Sequence, residues 1–344
     1  MDILLPDRFL DPEFEDLART TGWRGRMIPV SWTKEARSGW FRRRILRRPQ
    51  SSSGMETLGI DDLAGVRILL HAWPMSGAEL SLLVDNSPGL RWIHTAYTGA
   101  EAAVHAVADR PILVTNAGAQ TTAAVAEHAL SLLLALARRL PEHFIATQDR
   151  EWVTPPASTL NGSTLMVFGL GRIGSAAASM AARLGCRVIG VRDRVQLGGP
   201  EEVTEVIAVP EALNRLGEAD FVLLALPATA RTANLVDHAF LGGMKTGARL
   251  VNVGRPENIV DDALVDALTG GRLAAACLDV TRERPVSKKS RLYRAPNLWL
   301  THHTAYHLAE GDHLQNAQRT FLENLARFVE GAPIENRVDL ERGY

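Results

Sequence analysis

The segment Leu278–Pro285 reads LDVTRERP, and it sets one carboxylate, Glu283, between two guanidinium groups, Arg282 and Arg284. It continues the apolar run AAACLDV, which has the pattern of a buried strand. A carboxylate at a strand end can hold a nearby histidine in its charged form and so serve as half of an acid–base pair. In a loop of charges the same residue can equally be a solvated anion. Candidate partners lie downstream: His302 and His303 follow the strand-like run LWLT, with His307 and His313 beyond. Four histidines so close also raise the question of a metal. No carboxylate or cysteine stands at a supporting spacing, so no metal site is expected.

A second group of residues has the chemistry of a phosphate cradle. Gly169–Gly174 reads GLGRIG, between the strand-like TLMVF and the helical SAAASMAARL. In that context Gly169 permits a tight turn, Gly171 lets the backbone approach a pyrophosphate, and Gly174 lets helix and strand pack closely. The amides of the helix start, with Arg172 beside them, would hold the phosphates. The next strand, CRVIGV, should end in the residue that reads the adenosine ribose. An acid there binds the 2′-hydroxyl, whereas an arginine accepts a 2′-phosphate. The chain offers Arg192, Asp193 and Arg194, with Arg192 in the usual acid slot after Gly190 and Val191. The cofactor is therefore NAD or NADP, with a lean to NADP.

These residues need a scaffold, and the chain supplies strand-like runs alternating with helical patterns. DILLP, MIPVSW, VRILLHAW, LRWIHTAY and ILVTNA come first. TLMVFGLG, CRVIGVRD, DFVLLALP, ARLVNVG, AAACLDV and LWLTHH follow, apolar on both faces as in a covered parallel sheet. This is a doubly wound α/β pattern. The expected domains are 1–111 with 304–344, and 112–303, the last helix folding back on the first domain. A helix is predicted over 121–140, TTAAVAEHALSLLLALARRL, too apolar to be one-sided. A homodimer that buries it is expected. Residues 38–54, SGWFRRRILRRPQSSSG, read as an amphipathic surface insertion or an arm onto a partner subunit.

Apolar residues make up 46% and charged ones 22% of 344, with a formal net charge of −1, which gives no reason to expect nucleic acid as a partner. Cys186 and Cys277, the only two cysteines, lie in apolar runs and read as reduced core residues. There is no signal-peptide pattern and no stretch that would span a bilayer, so a soluble cytoplasmic protein with no membrane partner is expected.

With VAEHALSLLLALARRL, LNGSTLMVFGLGRIG, LLALPATARTANLVD, LVNVGRPENIVDDALVDAL, AACLDV and NLWLTHHTA in this order, the chain resembles the D-isomer-specific 2-hydroxyacid dehydrogenases from about Leu90 to about Pro333. The first 60 residues match poorly. The resemblance implies two doubly wound parallel-sheet domains, a Rossmann dinucleotide-binding domain and a flavodoxin-like substrate domain, with a cleft between them. It also implies hydride transfer between nicotinamide C4 and a D-2-hydroxy acid/2-keto acid pair. The substrate cation would be Arg255 and the acid–base histidine His303. The loop that holds the substrate carboxylate would be Thr98, Gly99 and Ala100, with Tyr97 and Glu101 nearby. The cofactor would further touch Ile173, Leu226, Pro227, Val253, Gly254, Asp279 and His303.

Three departures from the family pattern stand out. Pro256 follows the arginine where glycine is usual, and His302 replaces a proline. The family's glutamate slot holds Arg284, with Glu283 one place early. Either a local backbone shift lets Glu283 reach His303, or Arg284 takes the slot and opposes protonation of the ring. An unusual substrate such as a phosphonate or phosphite, or a dinucleotide-binding regulator with weakened chemistry, are the other readings of the same residues.

Overall fold

The computed structural model describes residues 1–6, 9, 12–30, 47–49, 55–57, 63–72, 75–108, 110–118, 121–306 and 312–343. Of the basic segment 38–54, all but the short strand Arg47–Pro49 lies outside the described residues, as does His307. The chain divides into two compact units, residues 1–121 with 308–344 and residues 122–307.

In the first unit β1 (Asp2–Pro6), β2 (Met27–Val30), β5 (Val66–His71), β6 (Trp92–Thr95) and β7 (Leu113–Asn116) form a parallel sheet in the order β2-β1-β5-β6-β7. With the separate antiparallel hairpin β3 (Arg47–Pro49) and β4 (Met55–Thr57) set aside, this is the flavodoxin-like order. The strands are apolar on both faces because helices cover both. On one face Ile3, Leu5, Phe14 and Trp92 pack with Phe321 and Leu325 of the last helix, Asp312–Glu330. The Trp92 and Phe321 rings stack at 5.2 Å, which packs the C-terminal helix on this sheet.

In the second unit β8 (Thr164–Phe168), β9 (Arg187–Val191), β10 (Glu205–Ile207), β11 (Phe221–Leu224), β12 (Ala248–Asn252), β13 (Leu273–Leu278) and β14 (Leu298–Leu300) form a parallel sheet. Its order is β10-β9-β8-β11-β12-β13-β14, a doubly wound dinucleotide-fold order. Because every pair is parallel, every loop that leaves a strand end emerges at one edge. The order reverses between β8 and β11, and a ligand crevice belongs at that switch point.

Helices Thr122–Arg138 and Arg172–Arg183 cover one face of this sheet with Ala129, Leu133, Ala177 and Ala181; Phe240, Leu264 and Leu268 cover the other. The helix expected over 121–140 runs Thr122–Arg138. It ends at Arg139, whose φ is 54°, and a second helix runs Leu140–Asp149. The first helix buries Val125, Ala126, Ala129, Leu133, Leu136 and Ala137 inside its own unit, which accounts for much of its apolar width. Burial pushes the Cys186 thiol up to about 11 and the Cys277 thiol up to about 12, so both stay protonated core groups. Among the described residues no helix is long and apolar enough to cross a membrane.

Candidate active site

The loop after β8 is shaped by its glycines. Gly169 has φ +99°, and a Cβ there would meet the Ala225 carbonyl oxygen at 2.6 Å. A Cβ on Gly174 would lie 1.8 Å from the Gly169 carbonyl oxygen. At Gly171 nothing lies within 4 Å of the same construction, so that residue faces open space. Gly171 also N-caps the twelve-residue helix Arg172–Arg183 without a side-chain cap. Open space in front of uncapped helix amides suits a pyrophosphate, so these residues fit a dinucleotide. Ile173 is half-buried on the first turn. Gly254 closes the far side: a Cβ there would come 2.7 Å from the backbone of Leu226, the residue before Pro227.

β9 ends at Val191, so Arg192 is the first residue beyond it. Its amide still bonds to Ile207 O at 3.1 Å, and its Nη1 donates to Gly198 O at 2.6 Å. Asp193 and Arg194 follow, both exposed.

The loop after β12 carries Val253, Gly254 and Arg255. Two fully buried asparagines fix it. Asn252 accepts from the Gly254 amide at 2.9 Å and donates to Arg255 O at 3.0 Å. Asn258 accepts from the Arg255 amide at 3.1 Å and donates to Pro227 O and Thr232 O, each at 3.2 Å. Arg255 is half-buried and its Nη1 donates to Gly254 O at 3.0 Å. Pro256 opens the single 3-10 turn Pro256–Asn258, a position where a missing N–H costs nothing. Neither asparagine was singled out in the sequence, although both stand in the run NVGRPEN.

The loop after β14 hangs on Asp279. This buried carboxylate accepts from Thr301 Oγ1 at 2.7 Å and from the amides of Thr304 and Ala305 at 2.9 and 3.4 Å. Its carbonyl accepts from the His303 amide at 2.5 Å. His128 joins from the helix Thr122–Arg138, with Nε2 3.0 Å from Thr301 Oγ1 and 3.5 Å from the carboxylate. Burial alone would raise the Asp279 carboxyl, but the bonds from His128, Thr301 and Thr304 outweigh it and hold the group below its ordinary value. Asp279, expected to touch the cofactor, thus spends its carboxylate on the histidine loop. Thr301 and His128 were not foreseen, because their partners are distant in sequence. His302 and His303 are both left-handed, with φ of 55° and 61°. A proline could not take the first of these.

Arg284 and Glu283 part here. Arg284 Nη1 lies 2.5 Å from His303 Nδ1, and its Nε donates to Thr281 O at 3.2 Å. A guanidinium can only donate, so Nδ1 is the acceptor and the ring proton sits on Nε2. Glu283 turns the other way, and its carboxylate accepts from the Ser287 amide at 3.0 Å. It is not brought to His303. The imidazole also meets Tyr306 edge to face, at 5.2 Å between centroids.

In the first unit the loop after β6 is braced from inside. Thr98 Oγ1 pairs with Thr121 Oγ1 at 2.8 Å, and Asn116 donates to Thr98 O at 2.9 Å. Thr95 Oγ1 donates to Tyr97 O at 3.0 Å. The Tyr97 hydroxyl donates to Ala72 O at 2.5 Å. Gly99 and Ala100 then lead into the helix Glu101–Val107.

Residues 130–305 match the family model described as D-isomer specific 2-hydroxyacid dehydrogenase, NAD binding domain. The chain is 34% identical over 236 residues to D-3-phosphoglycerate dehydrogenase 2, chloroplastic, of Arabidopsis thaliana, which covers 67% of this chain and 36% of that protein. It therefore spans only about a third of that relative's length. It is 31% identical over 230 residues to an uncharacterized protein in the mprR 3′ region of Streptomyces coelicolor, covering 67% of this chain and 82% of that one. Among solved structures, a D-isomer specific 2-hydroxyacid dehydrogenase family protein from Aeromonas salmonicida is 26% identical with a TM-score of 0.75, covering 98% of this chain and 99% of that one. A D-isomer specific 2-hydroxyacid dehydrogenase from Xanthobacter autotrophicus, in complex with NADPH and MES, shares the fold at 24% identity and TM-score 0.78, covering 100% and 99%. By motif order, sheet topology and these likenesses, the chain belongs to the D-isomer-specific 2-hydroxyacid dehydrogenase family, which binds NAD(P).

Proposed function

We propose that the protein is an NAD(P)-dependent 2-keto acid reductase, acting on a glyoxylate- or hydroxypyruvate-type acid or a larger one. The reading rests on Arg255, whose backbone two buried asparagines clamp at the same sheet edge as the glycine cradle and the His303 loop. The bound cofactor supplies the hydride. Arg255 grips the substrate carboxylate with two parallel N–H groups and polarises the keto oxygen. His303 directs Nε2–H at the alkoxide that forms at C2 and, as imidazolium, transfers that proton to it, returning to neutral imidazole. Arg284 opposes a second proton on the ring, so little imidazolium forms and turnover is slow near neutral pH.

Arg284 also favours a second reading, a dinucleotide-binding protein whose chemistry is weakened. Oxidation of NADPH and NADH followed by absorbance across a 2-keto acid panel decides between them. Turnover of at least one acid supports the reductase. Tight cofactor binding with no turnover on any acid supports the regulator.

We further propose a homodimer. Leu134, Leu140, Phe144, Ile145 and Trp152 all lie exposed on the second unit, Trp152 at 96%. Light scattering at micromolar concentration tests this, and a monomer there refutes it.

A further inference from the structure

Asp193, the acid beside Arg192 in the segment expected to read the ribose, is held in an ion pair. Asp193 Oδ2 lies 2.5 Å from Arg231 Nη2, with 37% of the Asp193 side chain exposed. Arg231 comes from the loop after β11, across the switch point from the strand that delivers Arg192 and Asp193. That loop is stiff. The Thr232 hydroxyl donates to Pro227 O at 2.6 Å and accepts from the Thr229 amide at 2.9 Å, and Asn258 donates to Thr232 O. Arg192 is itself held by Gly198 O. Arg231 thus pairs with Asp193, which stands in the sequence between Arg192 and Arg194.

We propose that Arg231 is a cofactor-specificity residue, which admits a 2′-phosphate by cancelling the charge of Asp193 and adding a cation of its own. An unpaired carboxylate beside a phosphate monoester repels it; a carboxylate in an ion pair presents little net charge. The inference rests on dinucleotide binding at the glycine cradle and on nothing about the substrate. The competing outcome is a surface ion pair without effect on the cofactor.

Calorimetry with NADP⁺ and NAD⁺ tests it on the full chain, on Arg231→Ala, and on Arg231→Ala with Asp193→Asn. Arg231→Ala should weaken NADP⁺ by about tenfold or more, roughly 1.4 kcal/mol, and leave NAD⁺ within about twofold. Adding Asp193→Asn should recover part of the loss, because the freed acid caused part of it. Retained NAD⁺ binding certifies that the variants fold, and Arg231→Gln serves if the alanine variant does not. Equal change for both nucleotides, no change for either, or no recovery with Asp193→Asn overturns the proposal. A wild-type chain that binds neither nucleotide overturns the cofactor assignment beneath it.

Discussion

Replacing Arg284 by glutamate inverts the charge on the Nδ1 side of His303. In the structure a guanidinium nitrogen is 2.5 Å from Nδ1, which puts the two charge centres about 4 Å apart once the ring is protonated. At that distance two unit charges interact by about 1 kcal/mol in bulk water and about 4 kcal/mol near a protein surface. Arg284 is exposed, so the lower figure governs. Removing the repulsion and adding an attraction of the same size gives about 2 kcal/mol in favour of the imidazolium. At 1.36 kcal/mol per tenfold, the protonated fraction rises about thirtyfold at a pH where it is small. Reduction needs a proton for the alkoxide, so the Arg284→Glu variant should reduce a confirmed keto acid faster above neutral pH. Glu283→Gln should leave the profile alone, since Glu283 faces the Ser287 amide. The assay is initial rate against pH at saturating cofactor. Identical profiles for wild type and Arg284→Glu would refute the reasoning, because Arg284 would then not reach the acid–base step.

Other outcomes follow from the same contacts. Asp279→Asn removes the charge that holds Thr301, Thr304 and Ala305, and should cost about 1–3 kcal/mol along with most of the turnover; thermal unfolding and kcat measured together check it. Burial lowers His94 to about 3, below its unfolded value of 6.5. Stability from this group is complete above about pH 6.5 and falls as the pH drops towards 3, by up to about 1.4 kcal/mol per unit. Urea unfolding at pH 7, 6 and 5 should show a shallower pH dependence in His94→Gln. Gly174→Val drives a side chain into the Gly169 carbonyl and should abolish cofactor binding, as read by quenching of protein fluorescence; binding within about threefold of wild type would contradict the packing argument.

The sheet, the glycine cradle and the strand that ends at Val191, just before Arg192, were legible because each rests on local pattern: apolar runs, a fixed glycine spacing, a change of periodicity. The break at Arg139 was less so, since arginine is a good helix former. Pro141, near the start of the next helix, was the signal. The roles of Asp279 and His128 could not be read from one strand. The donors to the Asp279 carboxylate arrive from Thr301, Thr304 and Ala305, more than twenty residues on, and His128 comes from a helix far earlier in the chain. Glu283 and Arg284 are adjacent in sequence and opposite in consequence. Which one faces His303 depends on the direction the backbone presents to the next loop, and no spacing rule encodes it.

The left-handed pair His302–His303 makes this site hard to reverse. A return to proline at position 302 would restore the family's usual residue, yet proline is held near φ −65° and the backbone here stands at 55°. The change would pull Thr301 and Thr304 off Asp279 before any benefit could appear. The two departures therefore differ in how they can be undone. Position 284 lies on an exposed side chain and can change alone, whereas position 302 is locked by the backbone that hangs the loop on Asp279.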